Sequence, residues 1–169
     1  MRTIIFLLIM CMSGLSSAQI NMERIQNDID QSVWKEFKST FERIDAIALN
    51  NLYADKTLRV TPNGIDTENS FKTANIKRFE MLKEKSAIVK LDFWFESRHT
   101  NSDTSYEVGY YKIATKIDDE CTIHYGQFHI VLKKIAGQWK IVQDWDTTII
   151  NGQKIGQKEF ERRGENRLY

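Results

Sequence analysis

The hydrophobic spacing of this chain changes once, at Ser86. Before it, apolar residues recur at steps of three and four; after it, at steps of two. A helical block followed by a run of strands predicts an α+β domain. In the first block, Ile25, Ile29, Val33, Phe37, Phe41 and Ile44 form the buried stripe of a helix over 22–44, which Trp34 broadens. Asp45 is placed to cap a second, shorter helix carrying Ala46, Ala48, Leu49, Leu52 and Tyr53. Leu58-Arg59-Val60-Thr61 reads as a short strand, stopped by the turn residues Pro62-Asn63-Gly64. Asp66 or Thr67 can cap a third helix that runs through Phe71, Ala74, Phe79 and Leu82 to about Lys85.

The second block holds four long strand candidates, 87–98, 104–117, 121–134 and 138–148. Their connections are short, so consecutive strands are expected to be antiparallel neighbours. Ala136 disfavours a positive φ, which argues for a three-residue loop at 135–137 with Gly137 in the left-handed position. A three-residue loop is also expected at 118–120. In that register one face carries Tyr106, Val108, Tyr110, Phe128, Ile130, Leu132, Val142, Asp144 and Asp146. The other carries Glu107, Tyr111, Tyr125, Gln127, His129, Val131, Trp139, Ile141, Gln143 and Trp145. A slip of one residue would exchange these sets. The face with Phe128, Ile130 and Leu132 is assigned to the helices and an internal cavity. The other is expected to meet a second subunit, because a broad apolar patch is rarely left in water.

The N-terminus follows a different pattern. Arg2, the apolar run Ile4–Met12 and the small residues Ser16, Ser17 and Ala18 match a secretory signal peptide, with cleavage expected near Ala18/Gln19. The apolar run is too short to span a bilayer. Residues 1–18 are therefore read as the leader, 19–150 as one domain and 151–169 as a polar tail or short terminal helix. The expected location is secreted or periplasmic. Without Arg2 the 24 basic residues fall to 23, equal to the 23 acidic ones. A neutral domain has no excess charge to hold a phosphate backbone, so nucleic acid is not an expected partner. The mature chain keeps one cysteine, Cys121, expected as a half-buried strand thiol.

Several segments together carry a resemblance. They are the helix–Asp45–helix entry, Leu52-Tyr53-Ala54-Asp55, Val60-Thr61-Pro62-Asn63-Gly64, and Gly126–Lys134 followed by Gly137-Gln138-Trp139-Lys140-Ile141-Val142-Gln143-Asp144. Over roughly 28–148 the chain resembles the nuclear transport factor 2-like superfamily. Within it, the chain is similar to the SnoaL-like (polyketide cyclase-like) branch of small secreted bacterial proteins. The resemblance implies a strongly bent antiparallel sheet, four long strands and a short one, wrapped around three helices as a cone with an internal pocket. It also implies a homodimer.

Catalytic members of that superfamily place an Asp, His or Tyr in the pocket. The matching positions here are Asp144, Asp146 and Tyr110, with Tyr53 near the mouth; no inward histidine–carboxylate pair is placed by the register. Ligand contacts are expected from Tyr53, Tyr110, Phe128, Ile130, Asp144 and Asp146. One reading is a binding domain without catalysis, holding a small hydrophobic or aromatic molecule. The other is a lyase or isomerase of the ketosteroid isomerase or polyketide cyclase kind, with a pocket aspartate as general base and Tyr110 as oxyanion donor. A structural dimer with a filled core is the third. His124 and His129 differ by five and point to opposite faces of a strand, so a shared metal is not expected. Arg98 and Glu107 can pair across strands at the surface. Trp94, Trp139 and Trp145 can form an aromatic box or pack in the core. Walker, nucleophile-elbow, zinc and dinucleotide signatures are all missing, so no cofactor is expected.

Overall fold

The structure, a computed structural model, describes residues 22–162. The leader expected at 1–18 and the end of the tail, 163–169, lie outside the described residues. The first helix, α1, covers 22–42 and contains a π-helical turn at Asp30–Trp34. It ends where Ile44 takes a left-handed φ of 56° and Asp45 N–H reaches back to Thr40 O. Asp45 then caps α2 (Ala46–Asn50) by accepting from Ala48 N–H at 3.0 Å, as its position in the sequence predicts. The third helix, α3 (Ser70–Glu84), is held at its start by Asp66, whose carboxylate accepts from Ser70 Oγ and Phe71 N–H.

One six-stranded sheet wraps these helices in the order β2-β1-β6-β5-β4-β3. Its strands are β1 (Tyr53–Thr61), β2 (Gly64–Asp66), β3 (Ile88–Thr100), β4 (Thr104–Ile117), β5 (Glu120–Ile135) and β6 (Gln138–Thr147). The α+β architecture agrees with expectation: N-terminal helices, then a curved, mostly antiparallel sheet of long strands. Two details differ. Tyr53 opens β1 instead of closing the second helix, and β1 runs parallel to β6. A parallel neighbour distant in sequence leaves no local periodic signal.

The registers explain which residues reach the core. The β4–β5 hairpin turns through two residues, pairing Ile117 with Glu120, with Asp118 at a φ of 52°. Aspartate tolerates this region better than most residues. The register is one residue from the expected one, so every β4 side chain changes face. Glu107, Gly109, Tyr111 and Ile113 point inward, while Tyr106, Val108 and Tyr110 point outward.

The β5–β6 hairpin also turns through two residues. Ala136 takes a φ of 48° and Gly137 a φ of 82°. These angles give the turn whose twist matches the strands. A bulge between Val131 and Leu132, opposite Val142, then shifts the register by one more residue. The two shifts restore the parity. Phe128, Ile130, Leu132, Asp144 and Asp146 keep the expected inner face, but Trp139 and Ile141 join it, and Val142 is displaced by the bulge. A second bulge, at Glu96, lets β3 present Phe93 and Phe95 inward and then Arg98.

The segment after β6, expected as a polar tail or short terminal helix, holds a hairpin and a short helix. The short strands β7 (Ile149–Ile150) and β8 (Gln153–Lys154) form a hairpin, followed by α4 (Gln157–Glu161). Ile155 and Phe160 are buried. Phe160 O accepts from Trp94 Nε1 at 2.9 Å, and its ring lies near Tyr125. The chain thus covers part of the outer sheet face itself.

Candidate functional site

The inner face of the sheet and the helices enclose a chamber of about 160 Å³. Its walls are aromatic. Trp34 and Phe37 come from α1, Phe93 from β3 and Phe128 from β5. The Trp34 ring is 5.5 Å from Phe93 and 5.4 Å from Phe128, centroid to centroid. These tilted arrangements are favourable for ring pairs beyond the area they bury. The chamber continues into an open groove of about 610 Å³, and Phe41, Arg78, Tyr111 and Ile113 line both.

The polar floor is built where β1 meets β6. Their parallel pairing sets Arg59 beside Asp144. Asp144 is buried and accepts from Tyr53 Oη at 2.8 Å and from the Arg59 guanidinium. Arg59 also approaches Asp146 at 3.9 Å, and Tyr111 Oη donates to Asp146 Oδ1 at 2.9 Å. A single chain of contacts, Tyr53–Asp144–Arg59–Asp146–Tyr111, crosses the floor.

The electrostatics follow from burial and charge. Burial pushes the Asp146 carboxyl above its usual pKa and Asp144 adds to the rise, while the Tyr111 hydrogen bond and Arg59 oppose it. Burial and the adjacent carboxylates raise Tyr53 and Tyr111, so both remain hydroxyl donors at neutral pH. Burial works against the charge on Arg59, but Asp144, Tyr53 and Asp146 together carry its pKa above the ordinary value. The floor therefore offers a fixed cation, hydroxyl donors and one carboxylate, Asp146, whose proton is held more tightly than usual.

Of the residues singled out in the sequence, Tyr53, Phe128, Ile130, Asp144 and Asp146 line the chamber. Tyr110 does not. The one-residue register shift sends it to the outer face, where it stacks on Trp94 at 4.9 Å. Its neighbour Tyr111 takes the inner position. Arg59 and Trp34 were visible only as a strand cation and a stripe residue. Gly126 sits opposite Tyr111, and a Cβ there would fall 2.6 Å from Tyr111 Cε1, nearer still to its hydroxyl and Cζ. Gly126→Ala is thus expected to push Tyr111 off Asp146 and destabilise the fold by about 1–3 kcal/mol. Urea denaturation beside Tyr111→Phe tests this: a Gly126→Ala loss no larger than that of Tyr111→Phe would contradict the steric argument.

The remaining expectations resolve separately. Arg98 and Glu107 do pair, at 3.1 Å, but in the interior rather than at the surface, because the β4 shift turns Glu107 inward. Cys121 is exposed rather than half-buried, since it lies next to the turn of the β4–β5 hairpin, opposite Lys116. The three tryptophans of the suggested box lie apart: Trp94 on Tyr110, Trp139 in the core and Trp145 edge-on to His129. His124 lines the groove and His129 contacts Tyr106 Oη. Among the described residues no group of three or more His, Cys, Asp or Glu side chains is arranged to hold a metal, and no helix is long and apolar enough to cross a membrane.

Comparison with known proteins adds the fold. No family model matches the chain. No curated protein matches it in sequence. Solved structures do match. An NTF-2-like protein of unknown function from Shewanella oneidensis MR-1 is 18% identical, covers 72% of this chain and 98% of its own, and superposes with a TM-score of 0.59. An NTF2-like protein with a cystatin-like fold from Novosphingobium aromaticivorans is 11% identical, covers 81% and 89%, and gives 0.62. A ketosteroid isomerase-like protein from Erwinia carotovora atroseptica SCRI1043 is 15% identical, covers 72% and 93%, and gives 0.55. At such identities the likeness establishes the NTF2-like fold, and a fold of this kind hosts more than one function.

Proposed function

We propose that this protein is a secreted binding domain of the SnoaL-like kind, whose cavity takes a small, flat, mainly apolar molecule without turning it over. The observation that carries this reading is the state of Asp144. It is buried, and its Oδ2 already accepts from Tyr53 and Arg59, so that oxygen is committed to the protein rather than to a ligand. What surrounds it is an aromatic chamber of about 160 Å³. That is close to the roughly 150 Å³ of an engineered apolar cavity that binds benzene. Calorimetric or ligand-observed NMR titration with benzyl alcohol tests the reading. Binding to the wild type that is lost in Ile130→Phe, which fills the chamber, is the expected result; no binding to the wild type would overturn it. Export from a bacterial host should yield a chain beginning at Gln19. A homodimer through the outer sheet face belongs to the same reading, and a monomer in light scattering at micromolar concentration would exclude it.

One feature favours a second reading. Asp146 has only a 3.9 Å contact with Arg59, an elevated pKa and a tyrosine hydroxyl beside it. That is the environment of a general base in a lyase or isomerase. Asp146→Asn would then abolish turnover of an acidic C–H substrate while leaving the fold intact. Stability reports on the same carboxyl. A group whose pKa is raised by folding stabilises the fold while protonated, and that contribution disappears as pH rises through the folded pKa. Asp146→Asn is therefore expected to be more stable than the wild type at neutral pH, with the difference closing in acid. Chemical denaturation between about pH 3 and 7 checks the sign. A variant less stable than wild type at neutral pH would mean that the Arg59 contact outweighs burial.

A further inference from the structure

Arg78 stands at the junction of the chamber and the groove and lines both. Two arginines of the interior are neutralised. Arg59 has Asp144 and Asp146, and Arg98 has Asp30 and Glu107. Arg78 differs. Its guanidinium lies 5.1 Å from the ring centroids of Phe41 and Phe79, and among the described residues it has no carboxylate within salt-bridge distance. Those two rings hold the guanidinium while leaving its fork of N–H donors unspent, and that fork matches a carboxylate in shape.

Asn75 lies one turn earlier on α3 and also lines the chamber. It donates to Asn50 Oδ1 at 3.0 Å, which fixes its orientation. On the opposite side, Tyr111 lines both spaces at the same junction. The chamber beyond is lined by Trp34, Phe93 and Phe128. A planar acid fits this sequence of surfaces. Its ring enters beside the aromatic wall, and its carboxylate stays at the junction with the open groove, where its desolvation is least costly.

We propose that the ligand is a small aromatic carboxylate, with its ring in the chamber against the wall formed by Trp34, Phe93 and Phe128 and its carboxylate on Arg78. This rests on the small-molecule-binding reading and specifies its chemical class.

Benzoate and benzyl alcohol are the probes, titrated by calorimetry and ligand-observed NMR into the purified protein and its Arg78→Met and Arg78→Lys variants. Benzoate is expected to bind the wild type at least about tenfold more tightly than benzyl alcohol, as one charge-assisted contact allows. Arg78→Met should remove that preference by weakening benzoate far more than benzyl alcohol, and Arg78→Lys should retain part of it. Equal binding of the two probes, or a benzoate preference that survives Arg78→Met, would overturn the carboxylate assignment. Benzyl alcohol binding without benzoate binding would leave the cavity reading standing and remove this one. Failure of both probes would remove both. Arg78 is exposed on the surface of α3, and unchanged thermal melting of the variants separates loss of binding from loss of fold.

Discussion

Replacing Glu107 with alanine is expected to destabilise the domain by about 3–5 kcal/mol, the largest effect of any substitution considered. Glu107 is fully buried. Its carboxylate accepts from Trp34 Nε1 at 2.6 Å, Ser105 Oγ at 2.8 Å, Gln26 Nε2 at 3.1 Å and Arg98 at 3.1 Å. Alanine would leave Arg98 with Asp30 alone, and two nitrogens of Arg98 already lack a partner among the described residues. Glu107→Gln keeps an acceptor and is expected to lose less, about 1–3 kcal/mol. Urea denaturation at constant slope measures both. An alanine loss under about 1 kcal/mol would mean that water replaces the carboxylate and that the cluster is not dry. The change also reaches the chamber, because Trp34 uses its nitrogen on Glu107 and its ring as a chamber wall.

Asp144→Asn is expected to follow, at about 2–3 kcal/mol. Asp144 has a side chain 8% exposed, against 24% for Arg59. Removing its charge strands Arg59 next to β6, with Asp146 at 3.9 Å as the remaining counter-ion. That residual partner, and the water that reaches Arg59, keep the loss below that of Glu107. The double replacement Arg59→Met with Asp144→Leu should recover part of the stability, because apolar residues of similar size need no partner. No recovery would show that the two side chains act through separate contacts.

These two acids show how far the sequence was legible. The helix block, the strand block and the cap at Asp45 were readable because they depend on spacing and on neighbours within a few residues. Asp144 and Asp146 were placed on the inner face correctly, yet through two register shifts that cancel: the tight turn at Ala136-Gly137 and the bulge opposite Val142. No such compensation exists in β4. There the two-residue turn at Asp118-Asp119 exchanged Tyr110 for Tyr111 and carried Glu107 inward. Bulges and left-handed turn residues are stabilised by the tertiary structure, so a side-chain alternation cannot announce them. The pairing of Arg59 with Asp144 was equally hidden, since it depends on strands 85 positions apart.

That long-range parallel pairing has a consequence for the order of assembly. The strand β1 leaves the ribosome early, but its partner β6 is among the last long elements to emerge. Contacts of such high sequence separation carry a large loop-closure entropy and slow folding. Nascent chains that end before residue 138 have no β6 against which Arg59 and Tyr53 can find Asp144. The floor of the cavity is therefore completed late, and a folding intermediate built from α1 and the β3–β4–β5 hairpins would have its aromatic walls before its polar end.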